Sequence, residues 1–128
     1  MKRLGEFVAT RNQIANRYTK MLANLPVTVQ LQPPDVYSAF HLYVIRLHLP
    51  KSKKTHREVF EALRATGIGV NLHYIPVYRQ PYYAQMGFNP SHFPESERYY
   101  GEAISIPMYS GLNDDLQQQV MRVIEKCF

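Results

Sequence analysis

The sequence predicts an α+β domain in which helices pack a small sheet of roughly three or four strands. Three observations carry that prediction. Leu4, Phe7, Val8, Ile14, Ala15, Tyr18, Met21, Leu22 and Leu25 recur at the three- and four-residue spacing of an amphipathic helix. Between Ala39 and Tyr74 the pattern runs strand, helix, strand, and the C-terminus closes on a second periodic apolar face. With 128 residues, 45% of them hydrophobic, the chain is long enough for one domain and too short for two of ordinary size, so residues 1–128 are expected to form a single unit.

The first helix spans Leu4 to Leu25, about six turns, and closes at Asn24 and Pro26, because proline disfavours a helical conformation in the residue before it. Val27 to Leu31 is a short β-branched run, and Gln32-Pro33-Pro34-Asp35 is a turn. Ala39 to Leu49, AFHLYVIRLHL, is nearly continuously apolar through Leu42 to Ile45, the mark of a central strand covered on both faces; Pro50 ends it. Thr55 and Glu58 form a capping box, which starts a helix with Val59, Phe60 and Leu63 on its apolar side, and Gly67 is placed to end it in the left-handed conformation.

Ile68 to Tyr74 then alternates apolar Ile68, Val70, Leu72 and Tyr74 with Gly69, Asn71 and His73, the period of a strand. Pro76 cannot extend a ladder, so pairing is expected to stop where Asn71 and His73 are presented, beside a turn holding Tyr78, Arg79, Pro81, Tyr82 and Tyr83. Pro94 to Gly101 reads as a short helix and Ala103 to Met108 as the last strand. Asn113 caps a final helix whose apolar side is Leu116, Val120, Val123, Ile124 and Cys127.

Composition removes several function classes. No run approaches the ~20 apolar residues of a membrane span, and MKRLGEFVATRNQ turns polar too soon for a signal peptide, so an intracellular, cytoplasmic protein is expected. The single cysteine, Cys127, supports neither an intrachain disulfide nor a cysteine-based zinc site. The formal charge of +5 raises the question of an anionic partner, yet the basic residues are scattered apart from Lys2-Arg3 and the Lys51 to Arg57 turn. His41, His48, His56, His73 and His92 lack metal-site spacing, the six glycines form no phosphate loop, and no serine sits in a nucleophile elbow.

What remains is a set of candidate ligand-facing residues: Asn71, His73, Tyr74, Tyr78 and Arg79. Pockets combine an aromatic wall with a few convergent polar groups, and this stretch supplies both. Each has a plainer reading. A histidine in a strand is as readily a structural hydrogen-bonding group, Arg79 a solvated turn residue, and the seven tyrosines from Tyr74 to Tyr109 half-polar packing, the reading preferred for Tyr99 and Tyr100.

HLYVIRL at His41 to Leu47, GIGVNLHYIPVYRQPYY at Gly67 to Tyr83 and EAISIPMYSGLNDD at Glu102 to Asp115, in this order and spacing, resemble the C-terminal small domain of the DegT-like sugar aminotransferases; RNQIANRYTKML at Arg11 to Leu22 is similar to the helix leaving that family's large domain. The likeness is greatest to enzymes of surface and spore-coat polysaccharide synthesis. It implies a mostly antiparallel sheet, a pyridoxal-phosphate (PLP) enzyme acting on nucleotide-linked keto-sugars, a homodimer, and a separate N-terminal domain that holds the cofactor. His73, Tyr74 and Pro76 stand in the family's HY-x-P motif, which the resemblance puts near the nucleotide-sugar. Tyr78 replaces a histidine common two residues after that proline, and Ser96-Glu97 replaces an alanine-glutamate pair.

Lys2, Lys20 and Lys126 fall on expected helices and Lys51, Lys53 and Lys54 in a charged turn, so none matches the family's Schiff-base lysine; no PLP is expected to bind this chain alone, and the chain alone is expected to be inactive. The reading from another class is a free-standing α+β module for single-stranded nucleic acid. Against it, the aromatics lie beside prolines in a turn instead of alternating with arginines on a strand face.

Overall fold

The computed structural model describes residues 2–128. Five helices are seen among them: α1 Leu4–Leu22, α2 His56–Ala65, α3 Pro81–Ala84, α4 Pro94–Glu102 and α5 Asp114–Glu125. The strands are β1 Val27–Val29, β2 Tyr43–Leu47 and β3 Ala103–Ile106, in the order β1-β2-β3 with both pairings antiparallel. Val27 pairs with Leu47, and Tyr43 with Ile106.

The central strand β2 is covered on both sides, as its unbroken apolar run implies. Tyr43, Ile45 and Leu47 enter the main core with Ile14, Tyr18 and Leu22 of α1, Val59 and Leu63 of α2 and Val120 and Ile124 of α5. The opposite face of β2 carries Val44 and Arg46; Arg46 is held by Glu102 of α4 at 2.7 Å. A buried polar clamp joins the first and last helices. Gln117 donates from Nε2 to the Ile14 carbonyl at 3.1 Å and accepts from Arg17 Nε at 2.6 Å. For this reason Gln117 is buried while Leu116, expected on the apolar side of α5, is partly exposed. Likewise Leu4 and Phe7 continue the apolar stripe of α1 but remain exposed.

The helix caps follow the sequence closely. Thr55 accepts from the Glu58 N–H while the Glu58 carboxylate accepts from the Thr55 N–H at 2.7 Å. At the other end of α2, Gly67 has φ +79°, and the bonds Gly67 N–H to Arg64 O and Ile68 N–H to Leu63 O, each 3.0 Å, form a Schellman motif. That cap sets the direction of the segment that follows.

The expected strand over Ile68–Tyr74 does not form, so the sheet has three strands. Only Asn71 bridges to Ser105 of β3, through Asn71 N–H to Ser105 O at 3.1 Å and Ser105 N–H to Asn71 O at 2.8 Å. The outer edge of β3 explains the break: Pro107, opposite Gly69, has no N–H to offer, and Ala103, opposite His73, already gives its N–H to Tyr99 O and its carbonyl to His56 Nε2 at 2.9 Å. The Leu72 N–H, which faces away from β3, bonds to Asn71 Oδ1 at 2.8 Å. Alternation survives without pairing: Ile68 and Val70 are buried, but Tyr74 is 71% exposed and leaves the apolar face. No helix among the described residues is long and apolar enough to cross a membrane.

Ile45 has no exposed surface and sits on the middle strand. Ile45→Ala is expected to lower unfolding free energy by about 3 kcal/mol through lost burial and a residual cavity, measured by urea denaturation.

Candidate functional site

The chain arrives at the site from the α2 cap, crosses Asn71 and His73, and leaves through the turn at Pro76. Both backbone bonds between Asn71 and Ser105 hold this passage against β3. His73 then fills the space beside the bridge. Its Nδ1 lies 2.8 Å from Ser105 Oγ and its Nε2 lies 3.3 Å from Asn71 Nδ2, while its ring meets Tyr74 edge-on at 4.6 Å between centroids. The His73–Tyr74 peptide is cis.

These groups form one wall of a pocket of about 400 Å³. Ile106, Met108, Leu112 and Val120 make its apolar floor, and Asn71, His73, Ser105, Tyr109 and Gln119 supply polar atoms. No lysine, arginine, aspartate or glutamate lines it. Neutral hydrogen-bonding groups over an apolar floor suit an uncharged portion of a ligand.

The five sequence candidates do not converge on this pocket. Asn71 and His73 line it, whereas Tyr74 turns the other way, into a cleft walled by Tyr78, Phe93 and Tyr99. Tyr78 and Arg79 belong to a separate cluster built on Glu97 of α4. The Tyr78 hydroxyl donates to Glu97 Oε1 at 2.8 Å, Arg79 Nε donates to the same oxygen at 2.8 Å, and Arg79 also pairs with Oε2. Tyr78 stacks on Phe93 at 4.4 Å, and the Arg79 guanidinium lies 5.2 Å from the centre of the Tyr100 ring. Arg79 is therefore already neutralised by a carboxylate, which leaves it a fastening for the turn. Tyr99 and Tyr100 are half-buried, as packing requires.

Two residues that organise the site escaped the sequence reading. Ser105 was visible only as a small polar residue inside the apolar run AISIPM, and Glu97 only as part of a pair without an assigned role. The electrostatics of Glu97 follow from its partners. The Arg79 guanidinium first, and the Tyr78 hydroxyl second, hold its carboxyl below the ordinary value of 4.5. Desolvation first, and then the hydrogen bond to Glu97 followed by its charge, push the Tyr78 phenol up.

Cofactor chemistry of the PLP kind requires a lysine in the site. Lys2, Lys20, Lys51, Lys53 and Lys126 are exposed, Lys54 is half-buried, and none lines the His73 pocket. The residues of this chain thus do not fit a Schiff-base site. Among the described residues there is also no group of three histidine, cysteine or carboxylate side chains able to hold a metal ion.

Fold and pocket together define a helix-flanked α+β domain that offers neutral hydrogen-bonding groups over an apolar floor. The chain belongs to the DegT/DnrJ/EryC1/StrS aminotransferase family, which it matches over residues 1–125. It is 32% identical over 127 residues to the spore coat polysaccharide biosynthesis protein SpsC of Bacillus subtilis (strain 168), covering 97% of this chain and 33% of that protein. To the dTDP-3-amino-3,4,6-trideoxy-alpha-D-glucose transaminase of Micromonospora megalomicea subsp. nigra it is 32% identical over 132 residues, covering 98% and 34%.

Among solved structures, the Helicobacter pylori aminotransferase PseC, involved in the biosynthesis of pseudoaminic acid, superposes with a TM-score of 0.86 at 25% identity, covering 99% of this chain and 33% of that one. The fold is shared as well with the putative sugar aminotransferase Spr1654 of Streptococcus pneumoniae in its apo-form, with a TM-score of 0.89 at 21% identity over 98% of this chain and 32% of that one. Spr1654 is also known in PMP- and PLP-forms. The chain spans about a third of the length of the relatives it matches. The α+β fold and the family resemblance read from the sequence are both established by these matches.

A carboxyl whose folded pKa lies below its unfolded value contributes stability that is complete above that unfolded value and is lost as the pH falls through the lower folded one. The Glu97 fastening should therefore hold above pH 4.5 and release below it. Proton NMR of the stacked Tyr78 and Phe93 rings is expected to show that release on acidification, and Glu97→Gln is expected to abolish its pH dependence. A pH-independent ring signature in the unaltered chain would contradict the assignment.

Proposed function

We propose that this chain is the small C-terminal domain of a PLP-dependent aminotransferase that acts on nucleotide-linked keto-sugars for surface or spore-coat polysaccharide. The observation that carries the reading is family membership over nearly the whole chain, combined with a span of about a third of its relatives. The large cofactor-binding domain lies outside these 128 residues in this reading. The PLP bound there supplies the electron sink for amino transfer. The working protein is a cytoplasmic homodimer, and a nucleic-acid role is not favoured.

Within that enzyme, the role of this chain is to shape the substrate side of the site. Asn71 and His73 present the neutral pocket, and Tyr74 projects on the other side of the same turn. The segment from Tyr74 to Phe93 supports an apolar partner surface. Arg79 is its one formally charged residue, and Tyr74, Ile75, Val77, Tyr82, Met86 and Phe88 are each 48–71% exposed. Apolar surface of that extent, with so little charge, has the composition of an interface core. The cover in this reading is the large domain or the second subunit.

Incubation of the chain with PLP, followed by borohydride trapping and mass mapping, is expected to give weak labelling scattered over the exposed lysines. Stoichiometric trapping at one lysine would show that the chain builds a cofactor site by itself and would overturn the division of labour proposed here.

A further inference from the structure

The hydrogen bonds around His73 have a direction, and that direction ends at Ser105. The Leu72 N–H donates to Asn71 Oδ1 at 2.8 Å, which fixes the orientation of the amide. Asn71 Nδ2 must then be the donor toward His73 Nε2, 3.3 Å away. With Nε2 accepting, the neutral imidazole carries its hydrogen on Nδ1, which donates to Ser105 Oγ at 2.8 Å. Ser105 Oγ accepts that bond, and its own hydrogen is left to donate. The residue is 5% exposed, it lines the 400 Å³ pocket, and its hydroxyl meets no other acceptor among the described residues.

We infer that Ser105 is a ligand-contacting donor, aimed by the relay Leu72 → Asn71 → His73 → Ser105 at an uncharged oxygen acceptor in the pocket, and that His73 is a positioning residue whose two ring nitrogens are both committed within the chain. The inference rests on the nucleotide-sugar reading and deepens it. Because no charged side chain lines the pocket, the diphosphate of such a ligand lies outside it, and the acceptor is a ring, hydroxyl or carbonyl oxygen of the sugar or the base. A buried hydroxyl with a free hydrogen discriminates well, since a ligand without the matching acceptor leaves the donor unsatisfied.

The test uses the chain labelled with ¹⁵N-histidine. Imidazole NMR reads the His73 tautomer, and titration with dTDP-glucose reads binding, with dTDP as the arm that separates sugar from base. The expected results are the Nδ1–H tautomer, and dTDP-glucose binding about tenfold weaker in Ser105→Ala. Ser105→Cys keeps the side-chain size with a poorer donor and should fall between; far-UV circular dichroism checks that both variants fold. Asn71→Ala and Ser105→Ala should combine to less than the product of their separate effects, because they break the same relay.

An Nε2–H tautomer, unchanged affinity in Ser105→Ala, or independent effects in the double variant would overturn the Ser105 assignment and leave the nucleotide-sugar reading standing. Absence of binding by either probe, with the Nδ1–H tautomer present, would overturn Ser105 as a ligand contact of this chain and leave the family reading standing.

Discussion

The site depends on the two backbone hydrogen bonds between Asn71 and Ser105. They are all that remains of a fourth strand, and they join an irregular segment to the edge of a sheet whose middle strand is buried except at Arg46. The register of β3 against β2, Tyr43 to Ile106, is thereby passed on to the turn that carries His73. A complete ladder would have presented Asn71 and His73 on the outer face of a flat strand. A single bridge lets the chain bend after Leu72, so that His73 packs into the pocket and Tyr74 leaves it. The Leu72 N–H, on the side away from β3, is satisfied by the Asn71 side chain.

A second constraint is the way the aromatic segment is tied at its base. Glu97 takes hydrogen bonds from Tyr78 and Arg79, Phe93 stacks on Tyr78, and Tyr100 lies under Arg79. Beyond that knot, residues 81–92 are all exposed, and the two short helical turns there bury nothing. Fastened at the base and apolar at the tip, the segment is suited, in the enzyme proposed here, to pack against the large domain or the second subunit. The same knot neutralises Arg79, the one arginine of the segment from Tyr74 to Phe93. What this domain offers a ligand is neutral hydrogen bonding, and charge neutralisation and covalent chemistry belong elsewhere in the enzyme proposed here.

Much of the fold could be read directly from residue patterns because the forces involved are local or periodic. The α2 boundaries followed from Thr55, Glu58 and Gly67, whose capping bonds reach only three to five residues along the chain. The central position of β2 followed from its unbroken apolar run, since a strand covered on both faces has no polar side to show. Where the reading departed from the structure, a non-local partner decided. Leu116 yielded its buried place to Gln117, because the amide finds the Ile14 carbonyl and the Arg17 guanidinium on a helix 100 residues away. Ile68 to Tyr74 kept the alternation of a strand but lost the pairing, since alternation reports burial and a ladder needs a partner edge of matching length.

For the site, the sequence by itself determined the inventory: a turn after Asn71 and His73, an aromatic stretch with one arginine, no lysine in a buried setting, and the motifs that place the chain in its family. Only the tertiary structure decided how that inventory divides. It put Asn71 and His73 on one side with Ser105, which lies 32 residues beyond His73, put Tyr74 on the other, and assigned Tyr78 and Arg79 to Glu97. Hydrogen bonds between side chains depend on directions and distances in space. Residue type and spacing reveal which groups can donate or accept, but the bend at Leu72 and the approach of β3 and α4 determine which of them meet.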